Sequence, residues 1–364
     1  MMSKLRVLLL FGGRSSEHSI SCATAAGVMG AIDRNRFELV PIGVTKAGQM
    51  VPVADEPSRW ALTSGELPVV EFEGRKCIWP DLGDRELRFI DENGSIQSLG
   101  EIDVVFPVLH GPYGEDGTIQ GFLELLDIPY VGNGVFASAA GMDKEFTKAL
   151  FQAAGIPVTP HVVIREKQWL DDPESALEKV SKLGGTPLFV KPARAGSSVG
   201  VSKVTNMDAF ADAVALALEN DNKVVVEHGL VGREVECAVL GGRHGARPRV
   251  SVAGEIVVKG REFYDFEAKY RDEASVDLIV PAQLSAEELS QMQSIARRAF
   301  EAIGGSGLAR VDFFLTADGF MVNEINTMPG FTPLSMFPSL WQASGIAYAD
   351  LISELIDLAL ETKH

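Results

Sequence analysis

A mixed α/β and α+β fold, opening on a doubly wound, Rossmann-like domain, is predicted by three features of the sequence. Leu5 to Phe11 is an apolar run interrupted only by Arg6, the pattern of a strand buried on both faces. Gly12-Gly13 then turn the chain, Ser15 or Ser16 can cap a helix running to about Ile32, and Phe37 to Val44 reads as a second buried strand. Strand–helix–strand order is the signature of a doubly wound unit, whereas the second half alternates less regularly and reads as α+β. With 364 residues the chain exceeds what one core supports, so two or three domains are expected.

The remaining elements follow in order. Residues from about 50 to 100 are irregular and read as an insertion with short strands. Val104 to Leu109 is a buried strand, Thr118 to Leu126 a helix by its apolar spacing, and Ile128 to Val131 a short strand. A new unit begins near Gly134. Asp143 caps a helix through Phe146, Leu150 and Ala154 that Gly155 and Pro157 stop. Pro187 to Val190 and Val201 to Val204 flank a glycine-bearing loop, and Val224 to Glu227 and Glu234 to Leu240 are strands again. Ser285 and Glu288 form a capping box for a helix ending at Gly304-Gly305. Leu308 to Leu315 and Phe320 to Ile325 read as a hairpin, and Leu351 to Leu360 as a closing amphipathic helix. The division expected is 1–135, 136–222 and 223–364.

Lys+Arg 33 against Asp+Glu 50 gives a net charge of −17, which disfavours nucleic acid and anionic membrane as partners. Apolar residues make up 46% of the chain, enough to build packed cores. Three cysteines without C-x-x-C spacing argue against a disulfide framework or a zinc site. The longest apolar runs are far shorter than the ~20 residues of a membrane span, and the chain reads as cytoplasmic.

The strongest chemical signal is the hairpin. Alternation puts Arg310 and Asp312 on one face of the first arm, and Glu324 and Asn326 on one face of the second. A three-residue loop Ala317-Asp318-Gly319 would set Asp312 opposite Glu324 and Arg310 opposite Asn326, a register that a bulge would shift. Facing carboxylates repel unless a cation lies between them, and hard oxygen donors of this kind suit Mg²⁺ with phosphate completing the shell. The plainer reading is a solvated sheet face.

The segment Lys191-Pro192 through Gly196-Ser197-Ser198-Val199-Gly200 can present backbone N–H groups to phosphate oxygens, with Lys191 as a point charge. Its last five residues also match G-x-S-x-G, the serine-hydrolase elbow. That elbow needs a following helix, and Val201 to Val204 alternates like a strand. Other candidates are weaker singly. Glu17 sits at a helix start, His110 at a strand end that opens Gly111-Pro112-Tyr113-Gly114-Glu115-Asp116-Gly117, and Lys144 in a first helical turn. Glu227 and Glu234 flank a strand–turn–strand, and Tyr264 to Tyr270 reads as a loop long enough for a lid. Gly330 follows the second hairpin arm, where its amide could face a developing oxyanion.

Taken together, these motifs resemble the D-alanine–D-alanine ligase family of ATP-grasp carboxylate–amine ligases, in its longer enterobacterial-type form. The segments that carry the resemblance are Phe11 to His18, His110 to Gly117, Lys191 to Gly200, Tyr264 to Tyr270, Arg310 to Asp312 and Asn323 to Gly330. It implies an ATP-grasp fold and ATP-dependent joining of two D-alanines through a D-alanyl phosphate. Asp312, Glu324 and Asn326 would hold two Mg²⁺, with Mn²⁺ as a substitute and a monovalent cation as an open requirement. Lys144, Lys191, Ser197 and Ser198 would grip the ATP phosphates, and Glu227 and Glu234 the adenosine. Glu17 would bind the first D-alanine with His110 near its carboxylate, and Ser335 would take the carboxylate of the second. Ser197, Tyr270 and Glu17 would form a hydrogen-bonded triad, Lys269 would reach the transferred phosphate, and Arg310 and Gly330 would stabilise the tetrahedral intermediate. Phe266 stands where the family often has Tyr. A homodimer is also implied, as is a close alternative, D-alanine–D-lactate ligation on the same scaffold.

Overall fold

A computed structural model of the chain describes residues 4–62, 67–258 and 276–362. Strands β1 (Leu5–Gly12), β2 (Phe37–Val44) and β3 (Met50–Pro52) precede a small antiparallel sheet of β4 (Lys76–Ile78), β5 (Glu86–Ile90) and β6 (Ile96–Glu101). Strand β7 (Val104–Pro107) returns to the first sheet, whose order is β3-β2-β1-β7. Both neighbours of β1 run parallel to it, and a helix, His18–Ala31, makes the crossover to β2. The predicted doubly wound opening is therefore present, and the 50–100 region does hold short strands.

The middle sheet is antiparallel, with β8 (His161–Arg165), β9 (Leu188–Pro192), β10 (Ser202–Val204) and β11 (Lys223–His228) in the order β10-β9-β11-β8. The last sheet contains β12 (Arg233–Leu240), β13 (Arg249–Val258), β14 (Val276–Ile279), β15 (Leu308–Thr316) and β16 (Gly319–Asn326), ordered β14-β13-β12-β15-β16. A helix, Ala286–Ala302, covers one face of that sheet through Met292, Ala296, Ala299 and Phe300. On the other side, Phe331, Phe337, Leu340 and Leu355 join Val7, Leu9 and Phe11 of β1 in a shared core. This continuity locks the first and last sheets together, since burying each such side chain contributes about 1.5–3 kcal/mol. Among the described residues no helix is long and apolar enough to cross a membrane.

Local chemistry corrects several expectations. Neither Ser15 nor Ser16 caps the first helix. Glu17 is its N-cap residue, and the Ser15 hydroxyl donates to the His110 carbonyl at 2.6 Å. Ile128 to Val131 makes a single bridge, Val105 to Tyr130, rather than a strand. The helices Val135–Met142, Glu166–Asp171, Pro173–Ser181, Phe210–Leu218 and Met336–Ala343, and strands β8, β13 and β14, have no counterpart in the sequence reading. Two caps match it: the Asp143 side chain accepts from the Glu145 and Phe146 amides, and Ser285 and Glu288 close a reciprocal box.

Candidate active site

The β15–β16 hairpin has the expected register for a different reason. Its loop has two residues, since Thr316 pairs with Gly319 and Phe313 with Val322. Continued without interruption, that register would set Asp312 against Asn323 and turn Glu324 to the opposite face. An extra residue, Asn323, bulges between the Phe313–Val322 and Asp312–Glu324 pairs, and the register beyond it is Asp312↔Glu324 and Arg310↔Asn326. Glu236 of β12 lies opposite Asp312 on the other side. Three carboxylates thus line up across three neighbouring strands.

Arg310 sits beside this row as its cation. Its Nε and Nη2 each donate to Asp312 at 2.7 Å, and Nε lies 2.9 Å from Glu236 Oε2. Burial alone would lower the guanidinium pKa, but Asp312 and Glu236 override it and hold the group charged. Asn326 Nδ2 donates to Asp312 at 2.9 Å. Among the described residues no cluster of three His, Cys, Asp or Glu side chains is arranged to hold a metal alone. The donor set that remains is Asp312, Glu324 and the Asn326 carboxamide. This is the chemistry that fits Mg²⁺, which takes one or two carboxylates and completes its shell with phosphate and water.

A cleft of about 980 Å³ opens over this face. Glu236, Arg310, Glu324 and Asn326 line it from the sheet, together with Gly330, Ser335, Glu17, His110 and Glu115. Lys144, Gly196 and Ser197 also line it. The helix-start residue Lys144 reaches the Ala195 carbonyl at 2.8 Å and lies 3.7 Å from Glu324.

The serine loop joins β9 to β10, two antiparallel strands, so the elbow reading fails on topology. Ser197 and Ser198 both take left-handed backbone angles, with φ of 48° and 58°. Gly200, φ +69°, has the Asn220 side chain 2.7 Å from where a Cβ would stand. The Ser197 hydroxyl donates to Glu17 Oε1 at 2.5 Å, closing the loop over the cleft. Tyr270 and Lys269, like Phe266 and the whole lid segment, lie outside the described residues.

The other expected residues are placed as follows. His110 is buried, with Nδ1 3.2 Å from the Met328 carbonyl and Nε2 3.1 Å from the Thr24 hydroxyl. Burial depresses its pKa, against the pull of Glu17. A carbonyl can only accept, so Nδ1 carries a proton toward Met328. Ser335 Oγ lies 3.1 Å from the Thr332 amide and 2.8 Å from its hydroxyl. Glu234 lies on the same face of β12 as Glu236, opposite Phe314, and is not among the residues that line the cleft. Lys191 donates to Glu227 Oε2 at 2.6 Å, and Lys148 stands 2.8 Å from Glu227 Oε1. Glu227 is buried, which alone would raise its pKa, yet the two ammonium groups pull it far below the carboxylate range.

Three residues were not singled out from sequence. Glu236 follows Glu234 by two on a strand, and Lys148 follows Lys144 by four on a helix; both spacings put the pair on one face. Glu115 lay within a quoted motif without a role. Its Oε1 accepts from the Gly111 amide at 2.7 Å, and burial, then the nearby Glu17 charge, pushes its pKa up to about 8.

Comparison with known proteins places this architecture. A family described as D-ala D-ala ligase N-terminus matches residues 6–133, and one described as D-ala D-ala ligase C-terminus matches 150–357. The chain is 52% identical to a D-alanine–D-alanine ligase of Arthrobacter sp. (strain FB24), over 99% of this chain and 95% of that one. It is 53% identical to one from Paenarthrobacter aurescens (strain TC1), over 98% and 96%. Among solved structures, the VanG D-Ala:D-Ser ligase of Enterococcus faecalis aligns with a TM-score of 0.83 at 34% identity, covering 98% of this chain and all of that one. The D-alanine–D-alanine ligase of Coxiella burnetii aligns at 0.81 and 34%, covering 98% and 94%. With both family halves matched in order over one continuous cleft, the chain belongs to the D-alanine–D-alanine ligase family and has its ATP-grasp fold.

Proposed function

We propose that the protein joins two molecules of D-alanine into D-alanyl-D-alanine, the dipeptide of peptidoglycan precursors, using ATP and passing through a D-alanyl phosphate. The observation that carries this reading is the Glu236–Asp312–Glu324 row with Arg310, facing the Glu17–Ser197 contact across one cleft.

The chemistry then follows from charge. Glu17 holds the ammonium of the first D-alanine, and His110 stands near its carboxylate. Lys144, Lys191 and the Ser197-Ser198 loop grip the ATP phosphates, with Glu227 and Glu234 toward the adenosine. Asp312, Glu324 and Asn326 would hold Mg²⁺, two ions in this reading, whose charge would offset the negative charge that spreads over the transferred phosphoryl group. A carboxylate oxygen of D-alanine attacks the γ-phosphorus in line and ADP leaves. Water would destroy the acyl phosphate, so the cleft must close; the Glu17–Ser197 bond joins the first sheet's helix to the loop of the middle sheet, and Tyr270 and Lys269 would complete that closure. The second amine attacks the carbonyl, Arg310 and the Gly330 amide stabilise the tetrahedral oxyanion, Ser335 holds the second carboxylate, and phosphate leaves.

The test is ADP release with each of D-alanine, L-alanine, D-serine and D-lactate at saturating ATP and Mg²⁺. D-Alanine alone is expected to support full turnover. No ADP with D-alanine refutes the reading, and faster release with D-alanine plus D-lactate or D-serine moves the assignment to those acceptors.

A further inference from the structure

We propose that Lys148 is a positioning residue for the cation-binding face: its buried ammonium holds the β16 bulge in the form that turns Glu324 toward Asp312, and ties that form to Glu227. The proposal rests on the reading of Asp312, Glu324 and Asn326 as cation donors. It concerns a lysine that no step above uses.

The bulge at Asn323 is the reason Glu324 faces Asp312. A bulged residue loses its regular ladder partner, and the half-buried Asn323 carbonyl gains from a donor that replaces it. Lys148 Nζ lies 3.3 Å from the Asn323 carbonyl and supplies that donor. The side chain is 1% exposed, an environment that disfavours a bare ammonium. Glu227, 2.8 Å away, compensates. Lys148 is therefore clamped between a strand distortion on one side and a carboxylate of the middle sheet on the other.

Its place on the helix strengthens the argument. Lys144 and Lys148 are one turn apart on Lys144–Ala153, and Lys144 Nζ is 3.7 Å from Glu324 itself. One helix face thus contacts both the bulged residue and the carboxylate that the bulge orients. The competing form of β16 is the unbulged register, in which Glu324 turns to the other sheet face. Removing the Lys148 ammonium takes away the bulge's donor and lets that form compete.

The experiment uses the full chain and a readout independent of turnover: Mn²⁺ binding in the presence of ADP, followed by the electron paramagnetic resonance of free Mn²⁺. Lys148→Met is expected to weaken Mn²⁺ binding about tenfold or more, in the range seen when groups that orient a metal's ligands are lost. The KM for D-alanine should change less than about twofold, because the contacts of Lys148 run to Asn323 and Glu227. Where Lys148→Met does not give folded protein, Lys148→Gln, which keeps a neutral N–H donor, carries the test with an expected weakening of about threefold or more. Folded Lys148→Met or Lys148→Gln with parental Mn²⁺ affinity overturns the proposal. Asp312→Asn is the control. If it too binds Mn²⁺ like the parent, the cation-site reading itself fails and the proposal with it. If it loses Mn²⁺ while the Lys148 variants do not, only the role of Lys148 fails.

Discussion

The acidic row on β12, β15 and β16 and the serine loop between β9 and β10 face one cleft, and they are fixed by opposite means. Each carboxylate of the row stands on a strand, so backbone ladders set its position, and a bulge sets its face. The loop has two consecutive left-handed serines, and one hydroxyl contact to Glu17 spans 180 residues of sequence. The row suits a task that demands fixed charge geometry, such as cradling phosphate and metal. The loop suits one that must open for substrates and shut against water.

The largest effects are expected in the row. Asp312→Asn and Glu324→Gln should each lower kcat by about 10³-fold at saturating Mg²⁺, because electrostatic stabilisation of the phosphoryl group is most of the catalysis. Parental turnover in either variant would remove the row from the chemistry. Next comes the bulge. Deleting Asn323 should cost about 10²-fold or more by turning Glu324 away, whereas Asn323→Ala keeps the backbone count and should stay within about threefold. Equal rates in the two variants would show that register does not matter.

Smaller effects belong to the loop wall. Ser197→Ala removes the contact to Glu17 and should lower kcat/KM for D-alanine about 10- to 100-fold while Mn²⁺ binding with ADP stays parental. A loss of metal binding in that variant would erase the contrast between the two regions. The smallest effect concerns pH. Glu115 has its carboxyl pushed from 4.5 up to about 8 by burial and then by Glu17. Between those values the folded protein keeps a proton that the unfolded chain has released, so stability falls as pH rises through the window. Glu115→Gln should flatten that fall in a series of melting temperatures. Parallel curves for parent and variant would contradict a raised Glu115 pKa.

Much of this was legible in the residues. Continuous apolar strands, alternating hairpin arms and the Asp143 and Ser285 caps are local signals, and local physics decides them. The bulge was not legible. The true two-residue loop and the extra Asn323 offset each other, so the sequence suggested the correct facing pair by a wrong route. Lys148 and Glu236 were invisible for another reason: a lysine in an amphipathic helix and a glutamate in a strand acquire meaning only from Glu227, Asn323 and Arg310, which come from distant segments. Elements such as β8 and β13 lacked clean periodicity and were formed by their neighbours in the sheet.

The central claim is that the cleft activates a carboxylate by phosphorylating it. It is tested most directly with D-alanine carrying oxygen-18 in both carboxylate positions, turned over with unlabelled ATP, and mass analysis of the released phosphate. One labelled oxygen per phosphate is expected, because a carboxylate oxygen leaves with the phosphoryl group. Phosphate without label, at a measurable rate of dipeptide formation, would contradict the account.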